Sequence, residues 1–245
     1  MRYAEQYLEN LQRILREIRE QEADALQQAA TMVADALQGG GLLYLFGTGH
    51  SHMLALELFY RAGGPVSVYP ILEESLMLHN GARKSSDVER VEGLARIILQ
   101  NTPIQQGDVL LIASNSGRNA VPVEMALSAR EMGVGVIALT SMAHSTQVAP
   151  RNTAGKRLFE VADVVLDNHG VLGDASLTLP GMDTPICPTS SATGVAILQM
   201  LIAEAAGELL RRGIELQHFS SANIDGGEER NEAYIRELLP RIKPL

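Results

Sequence analysis

Apolar residues return at three- and four-residue steps through the first 38 positions of the chain. Tyr3, Tyr7, Leu11, Ile14, Leu15 and Ile18 form one stripe among charged residues, and Leu26, Ala29, Ala30, Val33, Ala34 and Leu37 form a second. This spacing puts each set on one helical face. Two helices are therefore predicted, the second stopped by Gly39-Gly40-Gly41. The second stripe is expected to pack on the body of the protein. The first suits either that body or another subunit.

From Leu42 the period changes. The apolar runs "LLYLF", "VSVYP", "VLLIA", "VGVIAL" and "ADVVL" alternate with segments of helical period, "LALELFYRA", "VPVEMALSAREM" and "GVAILQMLIAEAAGELL". Unbroken apolar strands between helices predict an α/β fold whose parallel sheet is covered on both faces. The tail is a polar loop with Gly226-Gly227, then a helix from about Glu228 to Leu239. The expected organisation is one domain: a helical extension over 1–39, an α/β core over 40–212, and a C-terminal loop and helix over 213–245.

Composition narrows the classes. With 46% hydrophobic residues in 245, the chain can bury a sizeable core. Twenty Lys and Arg against 29 Asp and Glu leave a net charge of -9 without a basic cluster, so no nucleic-acid partner is expected. No apolar run reaches the ~18 residues of a spanning helix, so no membrane partner is expected. Charges run through the first 24 residues, unlike a signal peptide, and Cys187 is the single cysteine. Both point to a cytoplasmic location. Cys187, in "PICPTSS" without a histidine nearby, is expected to be a buried inert thiol.

Parallel sheets bind ligands beyond the carboxyl ends of their strands. There the chain places Gly47-Thr48-Gly49-His50-Ser51-His52, then "SNSGRN" over 114–119, then Thr140-Ser141, and finally "PTSSATG" over 188–194 before an apolar helix. Helix starts offer free N–H groups and a positive dipole end, and hydroxyls add donors. One such turn is adequately explained as an N-cap; several at one sheet edge point to an anion. "GTGHSH" lacks the third glycine of a dinucleotide fingerprint, the second strand ends in Tyr69-Pro70 instead of an acidic residue, and no P-loop motif exists. The anion is not a nucleotide's phosphate.

"FGTGHS", "ASNSGRN", "ALTS" and "TSSATG", in this order and strand context, resemble the SIS (sugar isomerase) domain family, from about Leu42 to Arg212. The resemblance implies a flavodoxin-like five-stranded parallel sheet with helices on both faces, and a sugar phosphate as ligand. It places that ligand among Thr48, Gly49, Ser51, Ser114, Ser116, Gly117 and Asn119, with Thr189, Ser190 and Ser191 closing the site. Asn119 stands where many family members have Thr or Ser, and retains a donor. The resemblance also implies a homodimer or homotetramer, because family sites often borrow residues across subunits.

Aldose–ketose interconversion needs ring opening, then proton transfer between adjacent carbons. Glu57 lies six residues beyond Ser51, with Arg61 one helical turn further on. These positions are similar to a Glu and a Lys in glucosamine-6-phosphate-forming amidotransferases, whose next helical Glu corresponds here to about Gly64. "YPILEESLMLHNG" resembles the P-x-E-x-x-H-G segment of arabinose-5-phosphate isomerases and places His79 28 residues after Ser51. His79 is expected to open the ring, with Glu57 or Glu73 as base. The bland alternatives are a Glu57–Arg61 ion pair, a solvated Glu73-Glu74 face and a structural His79. Phosphoheptose isomerases and muramic-acid-phosphate etherases carry a Glu where this chain has Arg61, so neither activity transfers residue by residue.

No cofactor or metal is expected: His50 and His52 are two apart and no metal-ligand spacing accompanies them. His169 and Asp174 are placed to join the site from the long loop. The reading is a phosphosugar-binding protein acting as an aldose–ketose isomerase. A non-catalytic phosphosugar sensor, or a lyase or etherase on an amino-sugar phosphate, are the alternatives.

Overall fold

The structure is a computed structural model that describes residues 2–245. Helices α1 (Tyr3–Gln21) and α2 (Ala23–Gln38) lead into β1 (Leu43–Gly47), α3 (His52–Leu58) and β2 (Val68–Ile71). Then come α4 (Ala82–Val88), α5 (Leu94–Gln100), β3 (Val109–Ala113), α6 (Ala120–Glu131), β4 (Gly135–Thr140) and α7 (Met142–Ser145). The chain continues through β5 (Val164–Asp167), β6 (Ala175–Leu177), β7 (Ile186–Pro188), α8 (Ser190–Arg211) and α9 (Gly227–Leu238).

Five strands pair in the order β2-β1-β3-β4-β5. All four pairings are parallel, with Leu45 opposite Pro70 and Leu111, and Leu111 opposite Ile137. Pro70 is tolerated because β2 is an edge strand, where one missing N–H breaks only one ladder. Alternation along each strand divides the core in two. Leu43, Leu45, Leu111 and Leu139 pack with Ile14, Ile18, Val33, Leu198 and Leu201 from α1, α2 and α8. Tyr44, Phe46, Leu110 and Ile112 pack on the other face with Leu99, Met125 and Ala126 from α5 and α6. Every β1 and β3 residue is buried, as continuous apolar runs require.

The two predicted N-terminal helices form, and both reach the core. On α2, Leu26, Ala29, Ala30, Val33 and Ala34 are buried, whereas on α1 only Ile14 and Ile18 are. The amino-terminal half of α1 crosses the β6–β7 hairpin instead, with Tyr7 donating to the Pro188 carbonyl and Asn10 to that of Ser176. The spacing predicts only a loop there, because three-residue strands carry no usable period, whereas β6 and β7 pair antiparallel. Cys187 lies on β7, half-buried where full burial was expected, and with a φ of 63°.

The helix expected over "LALELFYRA" stops at Leu58. Phe59 is already extended and Tyr60 takes a φ of 47°, its ring meeting Phe219 edge-on at 5.1 Å. The tail explains the stop. Residues around Phe219 bond antiparallel to the segment after α3, through Gly63 N to Phe219 O at 2.8 Å and Phe219 N to Gly64 O at 2.9 Å. Asn231 on α9 then clasps both backbone groups of Ser220.

Where α5 meets α6, Glu124 accepts from the Gly93 N–H that opens α5, at 2.7 Å. Burial, then a hydrogen bond shared with Glu92, lifts the Glu124 carboxyl from 4.5 to about 7. The folded state therefore keeps a proton that the unfolded chain has already lost. The resulting stability is full below pH 4.5 and is lost as pH rises to about 7. Thermal denaturation across that window should show the wild type declining and Glu124→Gln, which keeps an acceptor for Gly93, declining less. Equal slopes would refute the shared proton.

Candidate functional site

The ends of β1, β3 and β4 come together with the start of α8 around one cleft. It is lined by His50, Ser51, Leu54, Ala113, Ser114, Asn115, Leu139, Asn168, Ser190 and Ser191. The cavity among these groups is about 20 Å³, within about 290 Å³ of space that includes the solvent at its mouth. A larger groove of about 520 Å³ runs along α8, but Ile202, Ala203, Ala206 and Leu210 make it the wrong chemistry for an anion.

The first wall is the turn after β1. Gly49 takes a φ of 56°, a region glycine enters without the Cβ cost of other residues. A Cβ on Gly47 would stand 2.5 Å from the Ser51 carbonyl oxygen, so only glycine lets the turn lie this close to its strand. The turn is closed by Ser51 N donating to Thr48 O at 3.0 Å and by His52 Nδ1–H donating to the Gly49 carbonyl. These bonds bury His52 and leave His50 and Ser51 at the cleft.

The second wall is "SNSG". Ser114 N donates to Leu139 O across the sheet end, and its Oγ accepts from Gly117 N at 3.2 Å. Asn115 accepts from Asn168 Nδ2 at 2.8 Å, while Asn168 Oδ1 accepts from Gly170 N. That chain fixes both amides and leaves the Asn115 amino group uncommitted among the described residues. Ser190 and Ser191, at the start of α8, supply the third wall.

Of the residues singled out from sequence, Ser51, Ser114, Ser190 and Ser191 meet in this lining. Thr48 and Asn119 instead share one partner, Glu89, whose carboxylate accepts from Thr48 Oγ1 at 2.6 Å and from Asn119 Nδ2 at 2.5 Å. The donor that Asn119 was expected to offer a phosphate is thus already engaged, and its Oδ1 is buried without a partner among the described residues. Thr189 is fully buried. Gly49, Ser116 and Gly117 shape the turns without lining the cleft. Thr140 and Ser141 are fully buried, with Ser141 Oγ donating to Gly170 O at 2.5 Å.

The start of α8 holds an anion of its own. Asp174 Oδ1 accepts from the N–H groups of Thr189 and Ser190 at 3.1 and 2.9 Å, and Oδ2 accepts from Ser190 Oγ at 2.5 Å. A carboxylate on exposed helix N–H groups is favourable. It also means that the ligand meets Ser191 and the outer side of Ser190, not the bare helix end.

None of the three expected catalytic groups lines the cleft. Arg61, beyond the end of α3, reaches back to pair with Glu57, which also accepts from Gln199 Nε2 at 3.1 Å. Glu73 caps a short turn, accepting from Ser75 Oγ at 2.8 Å. His79 is exposed and stands edge-on to His52 with ring centroids 5.9 Å apart. His169 turns away from the cleft toward Glu22. Asn115 and Asn168 line the cleft beyond the residues expected from the sequence, and His50, weighed there only as a metal ligand, joins them. Asn168 directly follows β5, so the rule that was applied to the other strand ends would have found it.

The lining carries no lysine, arginine or carboxylate. Its donors are hydroxyls and amides, and its single titratable side chain is His50. Such a cleft suits a partly desolvated anion held by neutral donors beside one proton-transferring group.

A five-stranded parallel sheet in this order, with helices on both faces, is a flavodoxin-like α/β architecture. The chain belongs to the SIS domain family, whose model matches residues 6–141. It is 44% identical to UPF0309 protein GK1441 of Geobacillus kaustophilus over 98% of this chain and 96% of that one. To UPF0309 protein lin2794 of Listeria innocua it is 41% identical, over 98% and 97%. Among solved structures, phosphoheptose isomerase GmhA of Neisseria gonorrhoeae shares the fold at a TM-score of 0.54 and 18% identity, covering 82% of this chain and 94% of that one. A phosphoheptose isomerase of Francisella tularensis does so at 0.54 and 16%, over 85% and 96%.

Proposed function

We propose that the chain binds a sugar phosphate in this cleft and interconverts its aldose and ketose forms by proton transfer between C1 and C2. The observation that carries the reading is the lining: hydroxyl and amide donors from three walls converge with one imidazole. The phosphate would be held by Ser51 and Ser114, with the Asn115 amino group as a further donor. Neutral donors suit this chain, whose net charge of -9 works against any anionic ligand. His50 and Ser191 are exposed at the mouth, where the sugar carbons would lie. His50 is then the group that takes a proton from one carbon and returns it to the next.

A second reading, a phosphosugar sensor, draws on the positions of Glu57, Glu73 and His79, which leave the cleft without a carboxylate base. One experiment separates the two. Sugar phosphates of differing ring size are screened by thermal shift, and those that bind are incubated with the protein in deuterated water. Isomerisation predicts deuterium at C1 or C2 of the bound sugar. Binding without exchange leaves the sensor reading, and no binding by any phosphosugar refutes both.

A further inference from the structure

We propose that Glu22, Asp167 and His169 form a site for a divalent transition-metal ion of the zinc class, outside the phosphosugar cleft. Each residue offers one donor atom, and the three lie within 4.8 Å of one another. His169 Nε2 and Glu22 Oε1 are 2.9 Å apart. Neighbouring ligands on a tetrahedral ion with bonds of about 2.1 Å stand about 3.4 Å apart, so the two donors would part by about half an ångström to admit it. The ion takes the place of the proton between these two atoms, and the neutral imidazole keeps its one proton on Nδ1, 3.9 Å from Asp167 Oδ2.

The surroundings hold the donors in place. Glu22, the residue between α1 and α2, uses Oε2 to accept from Asp167 N at 3.0 Å. Asp167 uses Oδ1 to accept from Met142 N at 3.0 Å and from His169 N at 2.9 Å. Each carboxylate thus has one oxygen anchored by backbone N–H groups and the other turned toward His169, with Asp167 Oδ2 3.9 Å from Nδ1. Backbone anchoring of this kind orients metal ligands.

Charge points to the same occupant. The three side chains are 11 to 17% exposed. Two largely buried carboxylates face one imidazole, and no lysine or arginine pairs with either among the described residues. Even a charged imidazole leaves the group at net -1, and buried charge calls for a counter-charge. A divalent ion supplies it. One nitrogen with two carboxylate oxygens selects zinc-like ions over calcium or magnesium, which prefer all-oxygen shells. Asn168, which lines the cleft, lies between two of the ligands, so the ion would clamp that strand end to the α1–α2 elbow.

The test uses the full chain after dialysis against chelator, titrated calorimetrically with zinc chloride. One equivalent should bind to the wild type and to His218→Gln, and bind at least about tenfold more weakly to His169→Gln and Glu22→Gln. In hydrogen–deuterium exchange, zinc should protect wild-type peptides covering residues 20–25 and 165–170, a readout that holds even if a variant fails to fold. The proposal is overturned by no tight equivalent in the wild type, by unchanged affinity in both ligand variants, or by protection confined to the segments around His50 and His79.

Discussion

Replacing His50 by glutamine is expected to slow C1–C2 proton exchange by about 10²–10⁴-fold, the usual contribution of a positioned acid–base group. Binding of the same sugar phosphate should weaken by no more than about threefold. Glutamine keeps much of the volume and a polar tip but cannot cycle a proton. The argument rests on position: His50 is the only titratable side chain in the lining. Exchange rates followed by NMR, alongside a binding titration, separate the two effects. The paired variant His79→Ala should leave exchange near wild type, because His79 sits against His52 outside the lining. If His79→Ala abolishes exchange and His50→Gln does not, the roles are reversed and the expectation drawn from the arabinose-5-phosphate resemblance is restored.

That contrast marks how far the chain could be read unaided. The five strands were legible because each is a continuous apolar run, and a parallel sheet buried on both faces demands one. Ser51 and Ser114 were legible because they lie in the turns after β1 and β3, and Ser190 and Ser191 because they open an apolar helix. What stayed hidden depends on side chains that meet across long separations. Glu89 joins Thr48 to Asn119 over 41 and 30 residues, and Asp174 reaches the start of α8 from 16 residues away. Nothing in "GRN" shows that its asparagine amide will be taken by a distant carboxylate. The expected catalytic residues lie outside the cleft for a related reason. Spacing put Arg61 a turn beyond Glu57 on one helix, but the tail segment around Phe219 ends that helix at Leu58. Glu22 and His169, 147 residues apart, form no sequence pattern at all.

The first glycine of "GTGHS" should be the least replaceable residue of the turn. In Gly47→Ala the new methyl would lie 2.5 Å from the Ser51 oxygen, 2.6 Å from its carbonyl carbon and 3.0 Å from His52 N. All three are backbone atoms at the entry to α3, so no rotamer change relieves the clash. The turn has to move off the strand, which carries Ser51 away from Ser114 and Ser190. Overpacking of this kind costs about 1–3 kcal/mol of stability. Displacing a phosphate contact beyond hydrogen-bond range is expected to weaken affinity by at least about tenfold. Gly49→Ala is the control, since its Cβ would meet nothing within 4 Å and only the φ of 56° opposes it. That left-handed backbone costs about 1–2 kcal/mol in stability and leaves Ser51 in place. Chemical denaturation and phosphosugar titration of both variants give the comparison. Wild-type affinity in Gly47→Ala would show that Ser51 does not hold the ligand.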